Sequence, residues 1–193
     1  NYKSAEEATG DVTKILDEME GKSFCRSFSS KALLAKSLGC KESEVTLNKL
    51  GLISKERPDG TMKHRIIWDL LRSHVNSAIR QGERIILPRL LDIVRDVMDL
   101  QSLLEHGGDI SFYGVDIEDA FHNVPIMGDE KRFMCASIDG KFYLFDVTIF
   151  GSRSSPTVLV RYCAWLGRST SSLFRPHEAR LESDAAYPPS SAA

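Results

Sequence analysis

Apolar positions in the first fifty residues recur every three or four places, which predicts helices. Val12, Ile15, Leu16 and Met19 form a stripe over 11–20, with Asp11 as N-cap and Gly21 as stop. Residues 30–38 repeat the scheme between Ser30 and Gly39, and a third short helix is expected over 43–50. The period then changes to two. Residues 52–56 and 62–70 read as the strands of a hairpin joined by 57–61, where Pro58 presets φ and Gly60 accepts a positive φ. A short apolar strand is expected at 84–87, before Pro88 interrupts. Residues 89–108 carry the clearest helical stripe, Leu90, Val94, Val97, Leu100, Gln101 and Leu104, with Gly107 and Gly108 as the stop. The run 110–117 has few polar positions, as expected for a strand buried on both faces. Residues 132–150 read as a second hairpin turning at Asp139 and Gly140. Ser155 and Pro156 open a helix over 155–174, with Val158, Leu159, Tyr162, Cys163 and Leu166 as its apolar positions. From 182 to 193 Ala, Ser and Pro dominate, which predicts a disordered or aberrant tail.

Composition narrows the class only broadly. The chain has 193 residues, enough for one domain with a sizeable core or one domain plus an extension. No run of 18 apolar residues and no signal peptide is visible, so an intracellular chain with no membrane partner is expected. Position 1 is Asn, which suggests a fragment or a processed piece. Cys25, Cys40, Cys135 and Cys163 are far apart, which fits reduced thiols better than a disulfide frame or a zinc site.

Charge is distributed unevenly. Residues 55–89 carry eight Lys or Arg against four Asp or Glu, whereas 90–130 carry ten acids and only Arg95. Two solvated faces would produce this pattern, and so would a site that holds a polyanion through cations and metal ions. Within the acidic stretch, Asp116 closes the apolar run and Asp119 and Phe121 follow. A carboxylate there can ligate a hard divalent cation together with the carbonyl of Ile117, or it can serve as a helix cap or a hydrogen-bonded core acid.

The segment VDIEDAFHNVPI (115–126) resembles motif A of the reverse transcriptases, especially those of retrotransposons. In that pattern a strand ends in a metal-binding Asp, followed by x-x-D-A-(Y/F) and a hydrophobic-Pro-hydrophobic close. Three further segments match in the family's order: KHRIIWDLLRSHVN (63–76) with its fingers strand, RIILPRLLDIV (84–94) with the element leading into a fingers helix, and FDVTIFGSRSSPTV (145–158) with motif B. The resemblance implies an α+β fold, a right-hand polymerase's fingers and partial palm with an antiparallel palm sheet packed on helices. An N-terminal extension would occupy 1–29, fingers 30–108, palm 109–126, a fingers hairpin 127–150 and palm again 151–181. It implies Asp116 as catalytic metal ligand for Mg²⁺ or Mn²⁺, helped by the Ile117 carbonyl. It assigns Lys63, Arg65, Asp119, Phe121, Phe150 and Gly151 to the nucleotide, with Arg65 gripping the triphosphate and Phe121 blocking a ribose 2′-hydroxyl. Arg89 and Pro156 would contact the template. The implied partners are an RNA or DNA template-primer and a deoxynucleoside triphosphate.

The pattern breaks after the motif B helix. No Y-x-D-D occurs, and Asp184, near the expected distance, lacks a flanking apolar strand. The expectation is a reverse transcriptase domain truncated before motif C, inactive alone, or else a non-catalytic nucleic-acid-binding remnant. A stand-alone metal-dependent phosphotransferase lacks a second carboxylate motif. The tripeptide at 21–23 is not a P-loop, because Leu16 stands where Gly is needed. The five histidines have no metalloprotease spacing, and Ser152, Ser154 and Ser155 have no matching His-Asp pattern.

Overall fold

The structure, a computed structural model, describes residues 1–104, 109–112 and 114–185, with side chains through 170 and at 172. Its elements run α1 (Lys3–Glu7), α2 (Thr9–Gly21), β1 (Cys25–Phe28), α3 (Lys31–Leu38), β2 (Leu47–Glu56), β3 (Met62–Asp69), α4 (Val75–Ala78), α5 (Leu90–Leu103), β4 (Cys135–Ile138), β5 (Lys141–Phe145) and α6 (Ser155–Ala185). The fold is α+β. Its five-stranded sheet has the order β1-β5-β4-β2-β3.

Alternation along the strands sends side chains to two cores. Val12, Leu16 and Met19 of α2 pack with Leu50, Leu52, Ile66, Trp68, Tyr143 and Phe145. Leu34 and Ala35 of α3 pack with Val45, Cys135 and Leu144. Local chemistry sets the boundaries. The Ser30 side chain accepts from the Leu33 N–H, and Gly39 ends α3 in the left-handed region at φ 67. Asp139 at φ 51 and Gly140 at φ 72 make the two-residue turn between β4 and β5. All four cysteines are free thiols, and burial pushes Cys25 and Cys135 up to about 12.

The sheet is mixed, not antiparallel as expected. β2 and β4 run parallel, pairing only Leu47 with Cys135 and Asn48 with Ala136. A side chain reinforces this short junction. Asn48, 2% exposed, donates from Nδ2 to the carbonyls of Phe133 (2.8 Å) and Cys135 (3.0 Å).

Other expectations also change. The helix expected at 43–50 is a 3₁₀ turn, Glu42–Glu44, followed by the start of β2. Asn48, Leu50 and Leu52, alternate residues of that strand, are buried. Residues 84–87 form no strand, and Ile86 is 85% exposed. The run 110–117 is not a buried strand. Its described residues are irregular, and Phe112 and Val115 are exposed. Among the described residues neither segment pairs with a sheet edge, β1 or β3, so no ladder takes up its backbone groups. The helix at 89–108 is shorter, α5, and its stripe is bare: none of its residues is buried. Its expected glycine stop lies outside the described residues. α2 begins earlier than the expected 11, without a side-chain cap from Asp11. α6 runs past 174 and past 182 to Ala185, and the rest of the tail lies outside the described residues.

Asp146, directly after β5, ties several elements together. Arg26 grips its carboxylate with two hydrogen bonds (2.7 and 3.0 Å), and Lys131 adds a third at 2.6 Å. Burial would raise this carboxyl, but the hydrogen bonds and charges of Arg26 and Lys131 outweigh it and hold Asp146 below the ordinary 3.8. Asp146→Ala is expected to cost about 2 kcal/mol in urea unfolding, since charge-assisted hydrogen bonds contribute roughly 1.5–3 kcal/mol. The contribution is present above the ordinary carboxylate range and lost as pH falls through the lowered value, so the two proteins should converge in stability in acid. An unchanged unfolding midpoint at neutral pH would remove Asp146 from this role.

Candidate functional site

Three of the four matched segments meet beyond the end of β5. The chain at 146–148 lies antiparallel to 124–126, through an isolated bridge of Pro125 with Val147. Ile126 donates to the Asp146 carbonyl at 3.0 Å and Thr148 to the Val124 carbonyl at 2.8 Å, and the Thr148 hydroxyl donates to the Phe121 carbonyl. This seats the 3₁₀ turn Ala120–Asn123, entered through Asp119 in the left-handed region at φ 49. Asp and Asn tolerate that conformation better than most residues.

Aromatic rings then converge. Phe121 meets Phe150 edge-on, centroids 4.9 Å apart at 78°. His122 stacks on Phe24 at 4.9 Å and meets the Phe150 ring edge-on at 5.8 Å. Lys22, just past α2, pairs with Asp119 and stands 3.6 Å from Glu118. Asp119 therefore fastens the turn to the α2 end. The hydrogen bond that Lys22 donates to Asp119 is the main cause that raises Lys22 above its usual range. The His122 side chain is 10% exposed, and its Nε2 is buried without a hydrogen-bond partner among the described residues. Burial holds its imidazole below 6.5, opposed in part by Asp119 and helped by Lys22.

Gly151 joins this cluster to the end of β3. Its φ is +101, and a Cβ there would drive into the backbone carbonyl oxygen of Trp68. Asn76 fixes the approach: its Nδ2 donates to the Gly151 carbonyl at 2.8 Å, and its Oδ1 accepts from the Arg153 N–H at 2.9 Å. Only Gly combines that φ with that closeness.

The remaining candidates lie elsewhere. Lys63 and Arg65 are exposed on β3, opposite Lys55 and Ile53 of β2. Arg89 precedes α5 and pairs with Asp92 at 3.2 Å. Pro156 is exposed in the first turn of α6. Asp116 is exposed in irregular chain, with Ile117 half-buried beside it. Among the described residues no three His, Cys, Asp or Glu side chains gather where they could hold a metal ion. Hard cations such as Mg²⁺ need several oxygen donors, and a metal pair needs more than one carboxylate source. With Asp119 occupied by Lys22, the donors present do not complete such a site.

Asn76, Lys22, Phe24 and Thr148 position the cluster, although sequence pattern alone does not single them out. Asn76 ends the matched segment 63–76, which is its one signal. Thr148 lies within the matched segment 145–158, and Lys22 and Phe24 are fixed by contacts across the fold. Comparison of the chain with protein-family models and with curated proteins finds no match.

Gly151→Ala is expected to cost about 2–4 kcal/mol, because the added methyl meets backbone that cannot give way. A urea midpoint within error of wild type would show that the close approach is not required. His122 contributes a pH dependence of known sign. The folded state disfavours its protonated form, so stability is full above 6.5 and falls as pH drops below it toward the lowered folded value. His122→Phe keeps a ring on Phe24 and should flatten that part of the pH–stability curve; an unaltered slope would assign it to another group.

Proposed function

We propose that this chain is the fingers and part of the palm of a reverse-transcriptase-like polymerase from a retroelement. One observation carries the proposal: segments 63–76, 115–126 and 145–158, matched one by one to polymerase motifs, converge through Phe121 on Phe150 and through Asn76 on Gly151 and Arg153. In an assembled polymerase, Lys63 and Arg65 bind the triphosphate of a deoxynucleotide, and Arg is suited to this by its forked donors. Gly151 lets the backbone approach the nucleotide, and Phe121 stands as the gate against ribose. Asp116 and the Ile117 carbonyl are one half of a Mg²⁺ or Mn²⁺ site, and among the described residues no cluster of three ligating side chains completes it. The assembled enzyme would transfer nucleotides to a primer on an RNA or DNA template.

A second function, nucleic-acid binding without turnover, is favoured for these 193 residues alone. Lys63 and Arg65 stand without ion-pair partners among the described residues, while the metal donors are incomplete.

The chain alone should give no primer extension above background with Mg²⁺ or Mn²⁺. It should still bind a fluorescent deoxynucleoside triphosphate at low salt, with affinity falling about tenfold in Arg65→Ala, which corresponds to roughly 1.4 kcal/mol. Incorporation that disappears in Asp116→Ala would overturn the inactivity. Failure of the wild-type chain to bind triphosphate would count against the polymerase assignment itself.

A further inference from the structure

We infer that α5 is a self-association surface, through which two copies of this chain pair about a twofold axis. The inference does not rest on the polymerase reading, and its test uses no nucleotide. None of the residues of α5 is buried, although roughly half of its circumference is apolar. Leu90, Ile93, Val97, Leu100 and the C-cap residue Leu104 follow one another at intervals of 3, 4, 3 and 4 residues. That alternation is the spacing of a seam between two helices, in which each side chain enters a hole on the facing helix. Leu91, Val94 and Met98 widen the apolar face on one side of the seam. The two cores on the sheet are closed by α2 and α3, which leaves α5 outside both.

Charge placement selects the partner. On the helical wheel Asp92, Arg95, Asp96 and Asp99 all fall outside the apolar face. Gln101 is the one polar residue within it, and it carries no charge. A basic or an acidic segment would find no complement there, and would leave its own charges unpaired in the contact. An uncharged apolar helix is what the face accepts, and a second copy of α5 supplies one. Pairing two copies is also self-complementary, since a twofold contact uses the same patch on both chains.

The area matches such a contact. Full burial of one aliphatic side chain removes roughly 60–120 Å² from water. Apart from Val97, the apolar residues of this face are exposed to between 40% at Leu104 and 75% at Leu90. Pairing would therefore hide roughly 450–950 Å² of apolar surface on the two copies together. Interfaces are somewhat more than half apolar, so the whole contact comes to roughly 800–1,500 Å². Specific association begins near about 1,000 Å², which places this pair among the smaller dimers, with a dissociation constant on the order of micromolar.

Sedimentation equilibrium of the full chain between about 1 and 100 µM tests the pairing. The mass should rise with concentration from that of one chain toward that of two. Val97 lies midway between Leu90 and Leu104, closest to the twofold axis. Val97→Glu and Val97→Lys should each weaken the dimer by about a hundredfold or more, because each leaves like charges facing in the seam. Mixing the two variants should restore it, which only a contact between copies can do. Both variants should melt at the wild-type temperature where the wild type is monomeric, since Val97 is outside the core. A wild-type chain that stays monomeric throughout would overturn the inference. A dimer that both substitutions leave intact would place the contact elsewhere and overturn it too. Variants that stay monomeric when mixed would rule out the twofold seam. A lowered melting temperature in both variants, with a monomeric wild type, would show that the chain's own residues cover α5. The polymerase assignment survives each of these results, because its own test is triphosphate binding through Arg65.

Discussion

Asp146 is the point where sheet, turn and cluster are joined. Its carboxylate holds Arg26 of β1 and Lys131 of the 3₁₀ turn before β4. Its N–H donates to the Phe24 carbonyl and its carbonyl accepts from Ile126, both at 3.0 Å. One residue thus anchors the edge strand and the segment that carries Phe121 and His122. Two cations on one carboxylate, at partly exposed positions, keep the site from being an uncompensated buried charge. The aromatic contacts downstream rely on this fixed backbone, since neither Phe121 nor Phe150 is deeply buried.

Sequence pattern was most legible where local chemistry alone decides. Ser30 and Gly39 bound α3, Asp139 and Gly140 turn the β4–β5 hairpin, and Pro58 and Gly60 lie in the turn of the β2–β3 hairpin. The α+β class, expected from the resemblance, is the class of the structure. Partner choice was not legible. A run of apolar residues at 110–117 has the composition of a strand, but a strand needs a neighbour, and here none is paired with it. The stripe on α5 marks a face, and only the structure shows that the fold leaves it bare. β1, four residues long, carries too little pattern to be seen and is defined by pairing with β5. For the site, Phe121, Phe150 and Gly151 were visible as motif residues. Asn76 and Thr148 lie in matched segments but their roles were not visible, and Lys22 carried no signal, because each acts through a partner distant in the chain.

Two positions show stability yielding to another demand. Asp119 holds a left-handed backbone to enter the turn, and Lys55 faces Lys63 across a ladder that neutral side chains would suit better. Neither improves the core, which is already filled by Leu50, Trp68, Tyr143 and Phe145. Strain and repulsion outside a packed core mark positions held for what they contact. Asp119 is held by Lys22 and Lys55 stands exposed on the hairpin, and the core tolerates both because its own packing does not pass through either residue.

The sheet's strand order also governs how the chain is born. β1 must wait for β5, and the Arg26–Asp146 contact spans 120 residues. At ordinary elongation rates that gap is about 6–24 s. During this interval the N-terminal helices and β1 leave the ribosome without the strand that completes their core. Chaperone contact is best timed to that window, and slow codons between the two strands would lengthen the exposure.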